Sequence, residues 1–163
     1  MEKKKVIFLT QAAMIAAIYV VLTMVFAPFS FGEVQIRIAE ALTILPAFTP
    51  AAIPGLFIGC LMGNILGGAI LPDIIFGSIA TLIGAICTYQ LREKHPLFAP
   101  VPPIVANIII VPLVLRYGYG ILLPLWSIVL SVGIGEILSC GVIGMFLYGS
   151  LHKYRNKIFK SYY

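Results

Sequence analysis

The sequence predicts an all-α membrane protein built as a bundle of six transmembrane helices. Hydrophobic residues make up 61% of the 163-residue chain and charged residues only 10%, whereas soluble domains carry about 25% charged residues. The mean hydropathy of +1.06 agrees with this assignment. Because a helix needs about 20 apolar residues to cross a bilayer, the chain has room for about six spans joined by short loops.

Prolines, glycines and polar clusters divide the apolar sequence into six segments. Span one ends before Pro28, and the short span two contains Pro46 and ends at the turn Thr49-Pro50. Pro72 and two glycines separate spans three and four, and polar loops follow spans four and five. The predicted spans are residues 6–26, 36–48, 51–66, 73–91, 98–115 and 122–148, and we expect them to form one domain.

The basic residues predict the orientation of the bundle. With six spans both termini lie on one side, together with the loop after span four, and nine of the eleven Lys and Arg residues fall there. The other two are Arg37 and Arg116. Since Lys and Arg are enriched in cytoplasmic segments, we predict a multi-pass plasma-membrane protein with both termini in the cytoplasm.

Four acidic residues lie within the spans or at the outer face: Glu33, Glu40, Asp73 and Glu136. A carboxylate at the centre of a transmembrane helix costs about 2.5–3.5 kcal/mol on insertion scales, so such residues are expected to face the bundle interior, to pair or to serve a function. Arg37 is an available partner, but one arginine cannot neutralise four carboxylates. Asp73 could instead cap the start of span four.

Depth along the helices suggests that several polar residues line one cavity that opens outward. At 1.5 Å per residue, Glu40, Asn64 and Asp73 lie in the outer part of the bundle and Glu136 near its middle. Asn107, midway along span five, would line the same cavity or form a hydrogen bond between helices.

Small residues recur at helical spacing in spans one and three. Glycines 55, 59, 63 and 67 form a stripe that allows a neighbouring helix to approach closely. Span one carries two neighbouring pairs of alanines that serve either packing inside the bundle or docking to another membrane protein. These pairs are Ala12 with Ala16 and Ala13 with Ala17.

The sequence gives no sign of catalysis. It has no phosphate-binding GxxxxGK[ST] loop, no HExxH and no GxSxG. Cys60, Cys87 and Cys140 stand alone in apolar runs, as small core residues do. We therefore predict a protein that is not an enzyme, with no catalytic residue, cofactor, metal site or nucleic-acid partner. An ATP-driven transporter made from this chain would need its ATPase in a separate subunit.

Three stretches resemble the QueT family of queuosine-precursor transporters: FGEVQIRIAEALTILPAFTP, IPGLFIGCLMGN and PDIIFGSIATLIGA. The resemblance extends over nearly the whole chain, and the first stretch is the most specific. Members of this family are assigned as substrate-binding S components of energy-coupling factor (ECF) transporters. The resemblance implies an outward-facing site gated by the loop between spans one and two. It also implies that span-one alanines dock onto a membrane T component, which two cytoplasmic ATPase subunits energise.

The cargo implied by the resemblance is a 7-deazaguanine such as 7-aminomethyl-7-deazaguanine. Its guanine-like edge offers N–H donors that a carboxylate accepts, and its aminomethyl group is a cation that suits a second carboxylate. We expect Glu40 and Glu136 in these two roles, in either order. Asn64, Gln35 and Arg37 are candidates for the carbonyl oxygen and the ring.

Further residues are assigned by depth. Asp73 and Trp126 are expected at the substrate site, and Phe31 and Glu33 in the gating loop. Aromatic residues near the outer face either stack on the base or anchor the bundle at the membrane interface. Two alternatives to the deazapurine S component stay open: an S component for another small vitamin-like cationic or donor-rich compound, and a stand-alone small-molecule carrier.

Overall fold

The computed structural model of the chain describes residues 2–26 and 37–158, with side chains up to residue 154. Within these residues no strand occurs, and helices are joined by short turns. The α-helices are α1 (Glu2–Val25), α2 (Ala52–Leu66), α3 (Leu71–Leu91), α4 (Val101–Leu113), α5 (Leu125–Glu136) and α6 (Gly144–Ile158). The other helical elements are 3₁₀ helices at Ile38–Ala47 and Pro96–Phe98 and π-helical segments at Val114–Gly118 and Ile137–Ile143.

Each of the six predicted spans coincides with a helical stretch. In the described part of the chain, four of these stretches are long and apolar enough to cross a membrane: Glu2–Val25, Leu71–Leu91, Pro96–Gly118 and Leu125–Tyr154. The helices Ile38–Ala47 and Ala52–Leu66 are apolar but shorter. The all-helical membrane architecture is therefore confirmed, whereas six crossings and cytoplasmic termini remain predictions.

The last span extends further than the sequence pattern indicates. The predicted end was residue 148, with a basic tail beyond it, but α6 continues to Ile158. The apolar run stops near residue 148 because polar and basic residues begin there, yet these residues are compatible with a helix that leaves the membrane. The basic segment is thus a continuation of the last helix over its described length.

Span two is a 3₁₀ helix rather than an α-helix. It runs for ten residues, Ile38–Ala47, and contains Pro46, although 3₁₀ runs longer than three or four residues are uncommon. Its rise of about 2.0 Å per residue makes ten residues about 20 Å long, against about 15 Å for an α-helix. Every residue after Ile38 is buried, so this helix is the central element of the bundle.

The glycine stripe of α2 packs against α1, as its spacing predicts. A Cβ atom added to Gly55 would lie 2.7 Å from the carbonyl oxygen of Ala12, and one added to Gly59 would lie 2.8 Å from Cβ of Tyr19. Two helices this close leave no room for larger residues. The contact brings Tyr19, on the inner face of α1, toward the central 3₁₀ helix.

The hydrophobic core surrounds the 3₁₀ helix. Ala39, Leu42 and Leu45 pack with Ile15 of α1 and Leu56 of α2. Helix α3 and the π-helical segment Ile137–Ile143 contact the other sides of the 3₁₀ helix. Residues near its start therefore project into the middle of the protein.

Candidate functional site

Glu40 lies at the centre of a buried cluster of polar side chains. Its side chain is 1% exposed and lies in the first turn of the 3₁₀ helix. The hydroxyl of Tyr19 donates to Oε1, and the Thr81 hydroxyl donates to the same oxygen at 3.2 Å. The Asn107 amide nitrogen lies 3.5 Å from Oε2. Helices α1, α3 and α4 thus each supply a donor that fixes this carboxylate.

Glu136 faces Glu40 from the opposite side of the bundle. It is the last residue of α5 and is 3% exposed. The π-helical segment begins at the next residue, and π-helical turns inside α-helices are frequent at functional sites. Cys140 in that segment lies 3.3 Å from Oε2 of Glu136, and its sulfur is also 3.4 Å from the Thr43 hydroxyl.

The two carboxylates and the thiol are close neighbours. One oxygen of Glu40, one oxygen of Glu136 and the Cys140 sulfur all lie within 4.8 Å of one another. Among the described residues this is the one group of acidic, Cys or His side chains whose spacing would admit a metal ion. The residues Tyr19, Glu40, Thr81, Asn107, Glu136 and Cys140 are called the Glu40 cluster below.

A second polar group is built around Arg37. Its Nη2 atom lies 3.2 Å from Oδ2 of Asp73, and both side chains are buried. Tyr119 donates its hydroxyl to the same carboxylate oxygen at 3.0 Å, and Asn64 donates its amide to the Asp73 carbonyl oxygen at 3.3 Å. Burial and the nearby Asp73 carboxylate raise the pKa of Tyr119, so its hydroxyl remains a donor at neutral pH. Arg37, Asn64, Asp73 and Tyr119 are called the Arg37 cluster.

Asp73 is therefore part of an ion pair rather than a simple helix cap. The N-cap of α3 is Ile70, and Asp73 lies in the first turn, where a carboxylate is also favoured by the helix dipole. Its side chain is directed to Arg37, which provides a stronger partner than the exposed backbone N–H groups of a helix end.

Gly77 connects the two clusters on one face of α3. A Cβ atom here would lie 3.0 Å from Oδ1 of Asp73, 3.3 Å from the Asn64 amide nitrogen and 3.6 Å from Nη1 of Arg37. Thr81 of the Glu40 cluster follows one helical turn later and donates to the Gly77 carbonyl oxygen at 3.2 Å. Asp73 and Thr81, the members of the two clusters on α3, are thus about 12 Å apart along the helix at 1.5 Å per residue, and Gly77 lies midway between them.

The buried charges of the two clusters do not balance. Glu40, Asp73 and Glu136 are each at most 3% exposed, and Arg37 is 7% exposed. A single guanidinium cannot neutralise three ionised carboxylates, and a buried carboxyl group that finds no positive partner takes up a proton instead. The site is therefore suited to a ligand that carries positive charge or several N–H donors.

The structure brings together five of the predicted site residues and separates others from them. Glu40, Glu136, Asn64, Arg37 and Asp73 all belong to the two clusters. Trp126 is 67% exposed in the first turn of α5, so it does not line the buried clusters. Gln35, Phe31 and Glu33 lie outside the described residues.

The two alanine pairs of α1 face different ways. Ala12 is 7% exposed, and Cα of Ala16 lies 3.1 Å from the position of a Cβ on Gly59, so this pair packs inside the bundle. Ala13 and Ala17 lie on the exposed face of the helix. A partner could therefore reach the second pair but not the first.

Four members of the Glu40 cluster carried little or no signal in the sequence. Tyr19 and Thr81 are single polar residues in apolar spans. The position of Asn107 is equally compatible with a hydrogen bond between helices, and Cys140 stands alone in an apolar run, as a core residue does. Their contacts with Glu40 or Glu136 join residues up to 100 positions apart, except for the Glu136–Cys140 pair at a spacing of four. The spacing of four was the one local signal that sequence reasoning could have used.

An apolar groove of about 400 Å³ lies on the surface beside these clusters. It is lined by Pro72, Phe76, Ile110, Leu113, Val114, Tyr117 and Gly118. None of these residues belongs to either cluster, and the groove offers few polar groups. It is therefore not the site of a polar, charged ligand.

Comparison with known proteins points to one family. The family model described as QueT transporter matches residues 9–153 of this chain. The chain is also similar to the queuosine precursor transporter QueT of Lactococcus lactis subsp. cremoris (strain MG1363), with 34% identity over 85 residues. That alignment covers 51% of this chain and 50% of the relative, so the chain spans about half the length of the curated relative it matches. No solved structure matches the chain.

Proposed function

The chain belongs to the QueT transporter family, and we propose that it is the membrane-embedded substrate-binding (S) component of an ECF-type importer. Its proposed cargo is a queuosine precursor such as 7-aminomethyl-7-deazaguanine. Membership of a transporter family gives the chain a transport role rather than a catalytic one. The observation that carries the cargo proposal is the pair of buried carboxylates, Glu40 and Glu136, inside an otherwise apolar bundle.

The chemistry of the two clusters supports a cargo of this kind. A deazaguanine offers N–H donors at its amino edge and one carbonyl acceptor, and its aminomethyl group adds a positive charge. Carboxylates of the Glu40 cluster accept from such donors, and the guanidinium and amide groups of Arg37 and Asn64 donate to a carbonyl. The L. lactis relative is named for the same class of cargo.

The entrance to the site is proposed to be the segment before Arg37. Phe31 and Glu33 would form the gating loop and Gln35 would contact the ring, as their position beside Arg37 in the sequence suggests. Trp126, exposed at the start of α5, would contribute to the entrance rather than to the buried contacts.

Transport against a gradient requires partner subunits under this proposal. The chain has no phosphate-binding motif, so ATP hydrolysis would be carried out by two cytoplasmic ATPase subunits through a membrane T component. The exposed alanines Ala13 and Ala17 are the proposed contact with the T component, because small residues allow helices to approach closely in lipid. The predicted topology is six spans in the plasma membrane with both termini in the cytoplasm.

Ligand binding to the purified full-length protein tests the cargo. Calorimetry with 7-aminomethyl-7-deazaguanine, 7-cyano-7-deazaguanine, queuine and guanine should give the tightest binding for the aminomethyl compound. Glu40→Gln and Glu136→Gln keep the size of the side chain and remove its charge, so each should weaken that binding by about 10-fold or more. Glu93→Gln, in an exposed loop, is the matched control. If Glu40→Gln and Glu136→Gln bind the aminomethyl compound as tightly as Glu93→Gln does, the assignment of these two carboxylates to the binding site is wrong.

Co-purification separates the S component from the alternative carrier. When an affinity-tagged chain is expressed with its native partners, a membrane protein and two ATPases should co-purify with it reproducibly. Uptake that continues after those partners are deleted would support the stand-alone carrier instead. A different small cationic compound that displaces every deazapurine would support the other alternative, an S component for another vitamin-like cargo.

A further inference from the structure

The separation of the two buried carboxylates restricts what they can bind together. One oxygen of Glu40 and one of Glu136 lie within 4.8 Å of each other. A fused two-ring base is longer than this separation, so carboxylates placed in this way cannot hold opposite ends of it. The separation therefore favours a single group held between the two carboxylates over the sequence-based expectation of one carboxylate for the base edge and one for the cation.

The same separation fits one primary ammonium group. Hydrogen bonds from an ammonium to a carboxylate measure about 2.7–2.9 Å, so a single nitrogen reaches two oxygens that are closer than twice that distance. An ammonium has three N–H donors. The Cys140 sulfur, within the same 4.8 Å limit, is a third and weaker acceptor.

The surrounding contacts prepare Glu40 for this role. Tyr19 and Thr81 donate to Oε1 and Asn107 is near Oε2, which fixes the carboxylate and leaves part of its acceptor capacity unused. The two ion pairs among the described residues join Arg37 to Asp73 and Arg92 to Glu93, and a cationic ligand would give Glu40 and Glu136 a positive partner of their own. The positive charge that the Glu40 cluster needs would then come from the ligand.

The Arg37 cluster is placed to meet the rest of the ligand. Its member on α3, Asp73, lies about two helical turns from Thr81, and Gly77, midway between them, has no side chain to fill the space. A base whose ammonium substituent reaches Glu40 and Glu136 would extend toward Arg37 and Asn64, which donate to a carbonyl oxygen.

We propose that Glu40 and Glu136 act as a clamp on one ammonium group of the transported compound and that the Arg37 cluster reads its ring. This inference rests on the proposed function. It assigns the preference for a cationic cargo to both carboxylates jointly, and it assigns the ring contacts to Arg37 and Asn64.

The test compares two ligands that differ at one group. 7-Aminomethyl-7-deazaguanine and its neutral, isosteric 7-hydroxymethyl analogue are titrated into the full-length protein in lipid nanodiscs, and the ratio of their Kd values is measured. The wild type should prefer the ammonium compound by about 100-fold or more, since each charge-assisted hydrogen bond contributes about 10- to 100-fold. Glu40→Gln and Glu136→Gln should each reduce this ratio by about 10-fold or more. Glu93→Gln should leave it unchanged.

Several results would overturn the clamp. If one Gln variant lowers the ratio while the other weakens both ligands equally, the carboxylates address separate groups. If the wild type binds both ligands equally well, the clamp is wrong without any variant being needed. If binding requires added Zn²⁺ and is lost with a chelator, the Glu40 and Glu136 oxygens and the Cys140 sulfur hold a metal ion instead of an ammonium group. If the wild type binds neither deazapurine, the proposed cargo fails and the clamp fails with it.

Discussion

Arg37 and Asp73 form one buried ion pair, yet we expect their substitutions to destabilise the protein by different amounts. Arg37→Gln removes the one guanidinium that is buried among the described side chains and leaves three buried carboxyl groups, whereas Asp73→Asn removes one of those carboxyl groups. The asparagine also keeps an oxygen that can accept from Arg37 and Tyr119. We therefore expect the arginine substitution to be the more destabilising of the two.

The magnitudes follow from the contacts. Removing one partner from a buried ion pair costs about 3–5 kcal/mol, because the remaining charge is left without compensation in the interior. Arg37→Gln should fall within this range, since the pair is joined at 3.2 Å with side chains that are 8% and 1% exposed. Asp73→Asn should cost less, about 1.5–3 kcal/mol, because the asparagine oxygen can still accept a hydrogen bond from the Arg37 guanidinium. The double variant should cost less than the sum because the two residues are in contact.

The free energy of unfolding can be measured by titrating SDS into the protein in mixed micelles. The second ion pair in the described residues, Arg92 with Glu93, is the control, because it has nearly the same length of 3.3 Å but its side chains are 31% and 83% exposed. Arg92→Gln should change the free energy of unfolding by less than about 1 kcal/mol. The reasoning is refuted if Arg37→Gln costs no more than Arg92→Gln, or if Asp73→Asn costs more than Arg37→Gln.

Three further predictions concern Gly77, Tyr19 and the alanines of α1. Gly77→Ala should destabilise the protein by about 1–3 kcal/mol and weaken ligand binding, because its Cβ would lie 3.0 Å from a carboxylate oxygen of the Arg37 cluster. Gly149→Ala, with no atom within 4 Å of its Cβ, should do neither in the same SDS titration and calorimetry. Tyr19→Phe should lower the free energy of unfolding by about 1.5–3 kcal/mol, because it removes a buried hydroxyl that donates to the Glu40 carboxylate. An unchanged midpoint of the SDS titration would argue against that hydrogen bond. Ala13→Leu should abolish co-purification of the T component without changing the stability of the chain. Ala12→Leu should instead destabilise the isolated chain, because Ala12 is buried. The opposite pattern would place the docking contact on the buried face of α1.

The positions of the helices were predictable because the signals that set them are local. Apolar runs, prolines and glycines define a helical span without reference to the rest of the chain, and the spacing of Gly55 and Gly59 already indicates a close helix contact. The helix type of span two was not predictable in this way. Its 3₁₀ geometry reflects burial on all sides and the presence of Pro46, which removes one N–H donor, and neither effect appears as a periodic pattern.

The charged members of the site were predictable for a different reason. A carboxylate or a guanidinium in an apolar span is expensive, so Glu40, Glu136 and Arg37 stand out from the sequence alone. Tyr19 and Thr81 carry no such cost, because a hydroxyl in a membrane helix is common and can bond to its own backbone, as Thr81 also does. Which polar residues meet depends on how helices cross, and that information is spread over the whole chain.

Both carboxylates of the proposed clamp lie where the α-helical backbone is interrupted. Glu40 is in the first turn of the long 3₁₀ helix, and Glu136 is the last α-helical residue before a π-helical segment. Irregular helical backbone is tolerated at membrane depth only where protein, not lipid, surrounds it, and the 3₁₀ helix meets this condition because all its residues after Ile38 are buried. The two carboxylates that approach within 4.8 Å of each other are thus both carried on or directly beside irregular helical backbone, and the surrounding protein shields the 3₁₀ segment from lipid.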